Sequence, residues 1–310
     1  MWKLATSSYS CPAPATGSWA KRTGLCSAPM PQHTTARPVR VAGIGLHSGQ
    51  QAQLRILPAP ADHGLLFIRT DLPGSPSVPA RCAWVSDTTL ATTLVRGPAR
   101  VATVEHLLAA LYAAEIDNAR LELEGPEIPI LDGSAKPWSE ALVEAGKETQ
   151  EVRAPRIFVR RRIAVESGER RLLIEPCDTL EITVHVDFAH PCIGQQSLSF
   201  ALDPTVFQQE LAWARTFGFL PQVEGLRAAG LVQGGSLANA VVYDDTGVLN
   251  AEGLRAEDEV VRHKALDLVG DLALLGARLS GRIQATRPGH GMTVALLRAL
   301  RADAGAYSLE

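Results

Sequence analysis

The sequence predicts an α+β protein of two domains, and three observations carry that reading. At 310 residues the chain is long enough for one large domain or two ordinary ones, and its 46% hydrophobic and 20% charged content is that of a globular protein with a substantial core. Strand-like segments are followed by helix-like ones, and that order then repeats. Between the two runs, residues 147–153 are charged and read as a linker. The expected organisation is therefore a disordered extension at 1–34, one α+β domain at 35–150 and a second at 151–310.

Residues 1 to about 32 are rich in Ser, Thr, Ala, Pro and Gly and show neither helical nor strand periodicity. No acid precedes Asp62, whereas Lys3, Lys21, Arg22, Arg37, Arg40 and Arg55 all do. A basic, Ser-rich, acid-free start has the composition of an organelle transit peptide. A disordered tail, or a true start at Met30, fits the same residues and is the reading preferred.

Order is expected from near Thr35. Residues 39–46, 53–57 and 65–69 read as strands broken by Gly, Pro and polar turns. Residues 71–79 form a Pro/Gly/Ser loop, and 88–95 is again strand-like. The first convincing helix spans 102–114; an alternating strand follows at 119–124, a turn-rich segment at 126–134 and a second helix at 138–145. The second half opens with strands near 156–165, 170–175 and 179–188, then helices at 207–214 and 223–229. A Gly234-Gly235 turn leads into a strand at 238–243. After it come a long helix at 257–276, a strand at 279–286 and a last helix at 293–301. No residue-level repeat relates the two halves.

The bulk numbers exclude several classes. A net charge of -3 argues against a nucleic-acid binder held by phosphate contacts. The five cysteines are odd in number, scattered and free of any Cys-x-x-Cys, so neither a disulfide framework nor a cysteine-zinc site is indicated. That usage fits a reducing compartment, and a cytoplasmic location is expected, with organelle targeting through residues 1–30 as the alternative. No apolar run approaches the roughly eighteen residues of a membrane span.

The segment 257–276 is the one around which the chemistry gathers. Three acids, Glu257-Asp258-Glu259, stand where a helix N-terminus favours negative charge, and Gly276 closes the segment. His263 and Asp267 are four apart and share a face, with Asp271 one turn further on. An imidazole and a carboxylate on one buried helical face can be two of the three protein ligands of a catalytic zinc; a plain hydrogen-bonded pair fits the spacing as well. Glu105-His106 interrupts an apolar helix, which makes burial of a costly Glu the expectation. His106 could complete a two-His, one-Asp set, and Glu105 could take a proton from water there. The ligands would then come from different halves, and the site would lie in the cleft between them. His290, flanked by Gly289 and Gly291, could be a general acid oriented by Asp271, or an ordinary loop histidine. In Arg215-Thr216-Phe217-Gly218-Phe219, Thr216 could donate to an oxyanion, while Phe217 and Phe219 could line an apolar channel or sit in the core. The glycines of Gly43-Ile44-Gly45-Leu46-His47-Ser48-Gly49 match neither nucleotide-loop fingerprint.

Taken together, these pieces resemble the UDP-3-O-acyl-N-acetylglucosamine deacetylases, the zinc amidases of lipid A synthesis. The matching segments are 43–49, Thr103-Val104-Glu105-His106-Leu107, and Glu127-Ile128-Pro129-Ile130-Leu131-Asp132-Gly133-Ser134-Ala135, followed by 214–219, Gly234-Gly235-Ser236 and Val248-Leu249-Asn250. Gly253-Leu254-Arg255, Glu257-Asp258-Glu259, 262–267 and Gly289-His290 complete the series in family order. The resemblance implies two similar two-layer α/β sandwich domains, each with a small insert, around a cleft. It implies zinc held by His106, His263 and Asp267, Glu105 as general base, and His290 oriented by Asp271 as the assisting cation. Thr216 would help hold the oxyanion, Lys264 would contact the acylated UDP-sugar substrate, and Phe217 and Phe219 would lie on the acyl side. An acyl passage is expected around residues 188–200, and a monomer is expected. The chain departs from the family pattern after the catalytic histidine, where Gly291-Met292-Thr293-Val294 stands for Ala-Leu-Asn-Asn, and before it, where Pro288 stands for Ser. A zinc amidase for another acylated sugar, or a non-catalytic sugar-nucleotide or lipid binder, are the rival readings. A binding module needs no general base, which weighs against the second.

Overall fold

The computed structural model describes residues 30–310, and β1 (Pro31–Thr35) opens it. Residues 1–29 of the expected extension lie outside the described residues. The first half continues with β2 (Val39–Ile44), β3 (Gln51–Pro58), β4 (Leu65–Arg69) and β5 (Ser77–Pro79). A small antiparallel sheet of β6 (Val85–Asp87), β7 (Thr93–Arg96) and β8 (Ala99–Val101) leads into helix α1 (Glu105–Ala113). After it come β9 (Ala119–Glu124) and α2 (Lys136–Ala145). The main sheet has the order β2-β3-β9-β4-β5, with β4 and β9 parallel and the other pairs antiparallel. In β3 the side chains alternate, so that Ala52, Leu54 and Ile56 face the core.

The second half contains β11 (Arg156–Val159), β12 (Ile163–Ser167), β13 (Arg170–Glu175), β14 (Leu180–Phe188) and β15 (Gly194–Ala201), preceded by β10 (Lys147–Arg153). A short helix α3 (Pro204–Val206) runs into one wide turn at Phe207–Leu211. Then follow β16 (Phe217–Phe219), α4 (Leu220–Ala228), β17 (Val241–Tyr243) and α5 (Glu259–Leu272). The chain ends with β18 (Arg278–Thr286), α6 (His290–Ala302) and β19 (Tyr307–Leu309). The seven-stranded sheet is centred on β18, which is parallel to β11 and β14 and antiparallel to β13.

Helices face helices at the middle of the molecule. α5 packs over β14 and β15, α6 packs over β12 and β13, and α1 lies against α5 with α2 beside it. This arrangement explains α1, whose residues from Glu105 to Leu111 are all buried: it has no solvent face, and its sequence shows no clean polar stripe. The protein is thus α+β, and Pro31–Glu310 pack as one unit with continuous contacts across residues 150 and 151.

Two expectations need correction. Residues 31–34 are not part of a disordered extension, and 147–153 is not a linker: β1 and β10 form an antiparallel two-stranded sheet. Both were hidden because neither has an apolar face. β1 reads Pro-Gln-His-Thr-Thr and is buried through hydrogen bonds instead, while β10 is exposed along most of its length. Likewise, β15 was not expected, because Gln and Ser occupy alternate positions of a strand that is nowhere fully buried. Residues 88–92 lie outside β7, and α6 begins at His290, three residues before the expected start. Among the described residues no helix is long and apolar enough to cross a membrane.

Thr34 shows what holds β1. Its hydroxyl donates to Asn118 O at 2.8 Å and accepts from Ala59 N at 2.9 Å, all in buried surroundings. Thr34→Val should leave both partners unsatisfied and lower the unfolding free energy by about 1–3 kcal/mol. Urea titration of the two proteins measures this, and an unchanged midpoint would show that the β1–β10 sheet is not anchored through Thr34.

Candidate active site

α5 presents His263 and Asp267 one turn apart, and α1 brings His106 against them. His263 Nε2 lies 3.4 Å and His106 Nε2 3.6 Å from the same atom, Asp267 Oδ1. The two imidazoles meet edge to face with centroids 5.0 Å apart, and the three donor atoms all lie within 4.8 Å of one another. Asp267 Oδ1 is buried and has no hydrogen-bond donor among the described residues. An ionised oxygen left so costs several kcal/mol or more, and a cation between the three groups removes that cost. Burial alone would raise the Asp267 carboxyl, but His263, the Lys264 ammonium and His106 hold it well below the usual range. Burial lowers His263 to about 4, so it is neutral at physiological pH. Its Nδ1 lies 3.1 Å from Ala214 O, the contact that makes Nδ1 the protonated nitrogen and leaves the Nε2 lone pair facing Asp267. Neutral imidazole, a second imidazole and a carboxylate form a donor set suited to a divalent metal such as zinc.

The approach of α1 to α5 depends on Gly270. A Cβ at that position would stand 2.1 Å from Glu105 O, so only glycine lets the two backbones come this close. A glycine inside an otherwise good helical pattern is the sequence signal that could have revealed it.

His290 and the acids form the second part of the cluster. His290 is the first residue of α6, with Nδ1 2.9 Å from Asp271 Oδ2 and Nε2 3.8 Å from Glu105 Oε1 and 3.9 Å from Asp267 Oδ2. Burial, which would lower its pKa, is outweighed by Asp271, Glu105 and Asp267, which raise it to about 9. The imidazolium persists even at a helix N-terminus, which disfavours positive charge. Burial pushes Glu105 upward, opposed by His290 and His106. Two sequence-predicted sets, His106/His263/Asp267 and Glu105/His290/Asp271, therefore meet in one buried cluster.

The remaining predicted residues surround it. Lys264 Nζ lies 2.5 Å from Asp267 Oδ2, and Lys264 also lines a cavity with Arg170, Asp187 and Arg287. Thr216 is half-buried and held through its backbone, N to Gly133 O at 2.7 Å and O from Val241 N at 2.8 Å. Phe217 has its ring centroid 6.1 Å from His263, and Phe217 and Phe219 stand 5.4 and 5.9 Å from Phe188. An aromatic wall thus runs from His263 to the β14–β15 hairpin, where the passage at 188–200 was expected.

The roles of several supporting residues escaped the sequence. Arg215 is buried with its Nε 2.9 Å from Glu259 Oε1, and Glu259 also accepts from the backbone N of Arg215 at 3.0 Å and of Arg255 at 2.7 Å. That pair pins the Ala214 carbonyl which orients His263. Glu127, 1% exposed, accepts from His47 N and Ser48 N at 2.9 and 2.7 Å and from Thr103 Oγ1 at 2.7 Å. A Cβ at Gly45 would lie 2.3 Å from Glu127 Oε2, so the glycine-rich segment 43–49 is shaped around this carboxylate. Thr103, at φ 58°, is held by the same hub just ahead of α1. Thr92, fully buried, touches both Glu105 and Asp271. Nothing in its local sequence distinguishes it from Thr88, Thr89 or Thr93.

The family model described as UDP-3-O-acyl N-acetylglycosamine deacetylase matches residues 32–302. This chain belongs to that family. Among its relatives is a UDP-3-O-acyl-N-acetylglucosamine deacetylase of Myxococcus xanthus, 43% identical over 278 residues, spanning 90% of this chain and 88% of the relative. The proteins of the same name from an Anaeromyxobacter species and from Pseudomonas entomophila are 46% and 45% identical, covering 89% and 90% of this chain and 90% and 92% of their own lengths.

Gly270→Ala tests the helix crossing. The added methyl must push α1 from α5, costing about 1–3 kcal/mol of stability and disturbing His106. Urea unfolding and bound metal after dialysis should both fall; full metal content at unchanged stability would mean that the close crossing is dispensable.

Proposed function

We propose that this protein is a zinc-dependent hydrolase that removes the N-acetyl group from UDP-3-O-(3-hydroxyacyl)-N-acetylglucosamine. The products are acetate and the free 2-amino sugar nucleotide, the committed step of lipid A formation. The observation that carries the reading is Asp267 Oδ1, a buried carboxylate oxygen with no donor among the described residues, faced by His106 and His263, in a chain of this family.

His106, His263 and Asp267 would hold the zinc. Bound there, zinc supplies Lewis acidity that polarises the acetamide carbonyl and lowers the pKa of water toward about 7. Glu105 takes a proton from the attacking water as the C–O bond forms. The carbonyl oxygen becomes an oxyanion, and the Thr216 hydroxyl is the side-chain donor offered to it. The amine cannot leave as an anion, so His290 delivers its proton to the nitrogen while the C–N bond breaks. Asp271 keeps that imidazolium in place at 2.9 Å. Lys264 and Arg287, which line one cavity, offer cations to the substrate diphosphate. Phe217 and Phe219 offer apolar surface to the acyl chain. All of these residues come from one chain, so a monomer suffices.

The direct test is acetate release from the purified zinc-loaded protein given the acylated UDP-sugar; no release under any metal loading would end the reading. His263→Ala should lose zinc and activity together, and full zinc content in that variant would place the metal elsewhere.

Rate against pH should be bell-shaped. Only the imidazolium can donate, so activity should decline as pH rises through about 9, the value for His290. It should also decline at acid pH as Glu105 becomes protonated. Asp271→Asn removes the leading charge that raises His290, so the basic limb should move to lower pH. Glu105→Ala and His290→Ala should each lose about 10²–10⁴ in kcat while retaining zinc. A His290→Ala enzyme with near-normal kcat and the same basic limb would remove the acid from the mechanism.

A further inference from the structure

One residue, Thr92, joins two of the buried carboxylates, Glu105 and Asp271. It lies at the end of the 88–92 loop in the first half and is fully buried. Its backbone N–H donates to Glu105 Oε2 at 3.0 Å. Its hydroxyl donates to Asp271 Oδ1 at 2.7 Å, across 179 positions of sequence and from one half to the other. The remaining oxygens of both acids face the same imidazole: Glu105 Oε1 stands 3.8 Å from His290 Nε2, and Asp271 Oδ2 stands 2.9 Å from His290 Nδ1. Glu105, Thr92, Asp271 and His290 therefore close a ring in which Thr92 anchors one oxygen of each carboxylate and the other oxygen faces His290.

The anchor is itself held. Val104 N donates to Thr92 O at 3.3 Å, which ties the Thr92 peptide to the start of α1. Leu90 adopts a φ of 63°, a left-handed conformation that a Leu side chain disfavours, in the turn that carries Thr92 inward. A Cβ on Gly291 would lie 3.2 Å from Thr88 Oγ1, so the same loop rests on the first turn of α6, beside His290. A buried threonine hydroxyl commonly satisfies itself on a nearby backbone carbonyl; here it reaches a carboxylate of the opposite half.

We propose that Thr92 is a positioning residue for the amide hydrolysis: through its N–H and hydroxyl it fixes the relative orientation of the general base Glu105 and of Asp271, and through Asp271 that of His290. The proposal rests on the deacetylase reading above. The hydroxyl touches neither the metal ligands nor the substrate side, so its removal acts on the chemical step and not on binding.

The experiment compares wild type, Thr92→Val, Thr92→Ser, Asp271→Ala and the Thr92→Val/Asp271→Ala double variant, as full chains loaded with zinc. Acetate release gives kcat and KM, and zinc is measured after dialysis. Thr92→Val, of nearly equal volume, should lose about 10- to 100-fold in kcat with KM within about 2-fold and zinc unchanged, the scale of one hydrogen bond to a charged group. Thr92→Ser, which keeps the hydroxyl, should stay within about 3-fold of wild type. The double variant should be no slower than Asp271→Ala alone, because the hydroxyl then has nothing to hold. A wild-type kcat in Thr92→Val overturns the proposal, as does an equal loss in Thr92→Ser. A further loss in the Asp271→Ala background, or a loss that follows zinc or KM, overturns it too. Wild-type protein that releases no acetate overturns the deacetylase reading and the role of Thr92 with it, whereas active wild type beside a normal Thr92→Val enzyme overturns the role alone.

Discussion

Where α1 crosses α5, the carbonyl of Glu105 occupies the space that a side chain on residue 270 would need. That contact sets the distance between the halves at the point where their functional groups meet. With α1 this close, His106 reaches the oxygen of Asp267 that His263 also faces, and Glu105 reaches His290. A wider crossing would leave the two half-sets apart. The rest of the architecture, two sheets with their helices turned inward, serves to press these helices together over an apolar interior that includes Leu107, Leu108, Leu266 and Val269.

The same closeness creates an electrostatic problem that only the assembled cluster resolves. Glu105, Asp267 and Asp271 are all buried, against one imidazolium, His290, and one ammonium, Lys264. With the three acids ionised, negative charge is left over in a region of low dielectric, where it is expensive. A divalent cation held between His106, His263 and Asp267 would reverse that sign and so couple metal binding to the stability of the cluster. The raised pKa of His290 and the depressed one of Asp267 express the same balance from its two sides.

Around the cluster runs a layer of buried polar contacts whose effect is orientation. Arg215 and Glu259 hold the Ala214 carbonyl to which His263 turns its Nδ1. Glu127 gathers Thr103, just ahead of α1, and the backbone of His47 and Ser48. Such outer contacts commonly matter to a metal site nearly as much as its ligands. They also account for Gly45, His47 and Ser48 of the segment 43–49, whose backbone meets the Glu127 carboxylate.

What the sequence determined by itself was local or periodic. The spacing of His263, Asp267 and Asp271 placed them along one helix, because residues four apart share a face whatever the helix packs against. The alternation in 119–124 marked a strand because burial on one sheet face leaves a period of two, and the short apolar run Leu172-Leu173-Ile174 marked another as a strand buried on both faces. The interruption of an apolar helix by Glu105-His106 signalled burial because the residues around the pair are apolar on every helical face. The tertiary structure alone decided what had no such local signature. β1 and β10 pair through buried hydrogen bonds or at an exposed edge, so no hydrophobic pattern reports them. His290 starts a helix instead of ending a loop, with the extended Gly289 just ahead of it. Thr92 is one threonine among several until a loop of one half brings its hydroxyl to an acid of the other, a distance of 179 residues in sequence and 2.7 Å in space. Hydrogen bonds between side chains distant in sequence depend on where two elements end up, and that is set by packing.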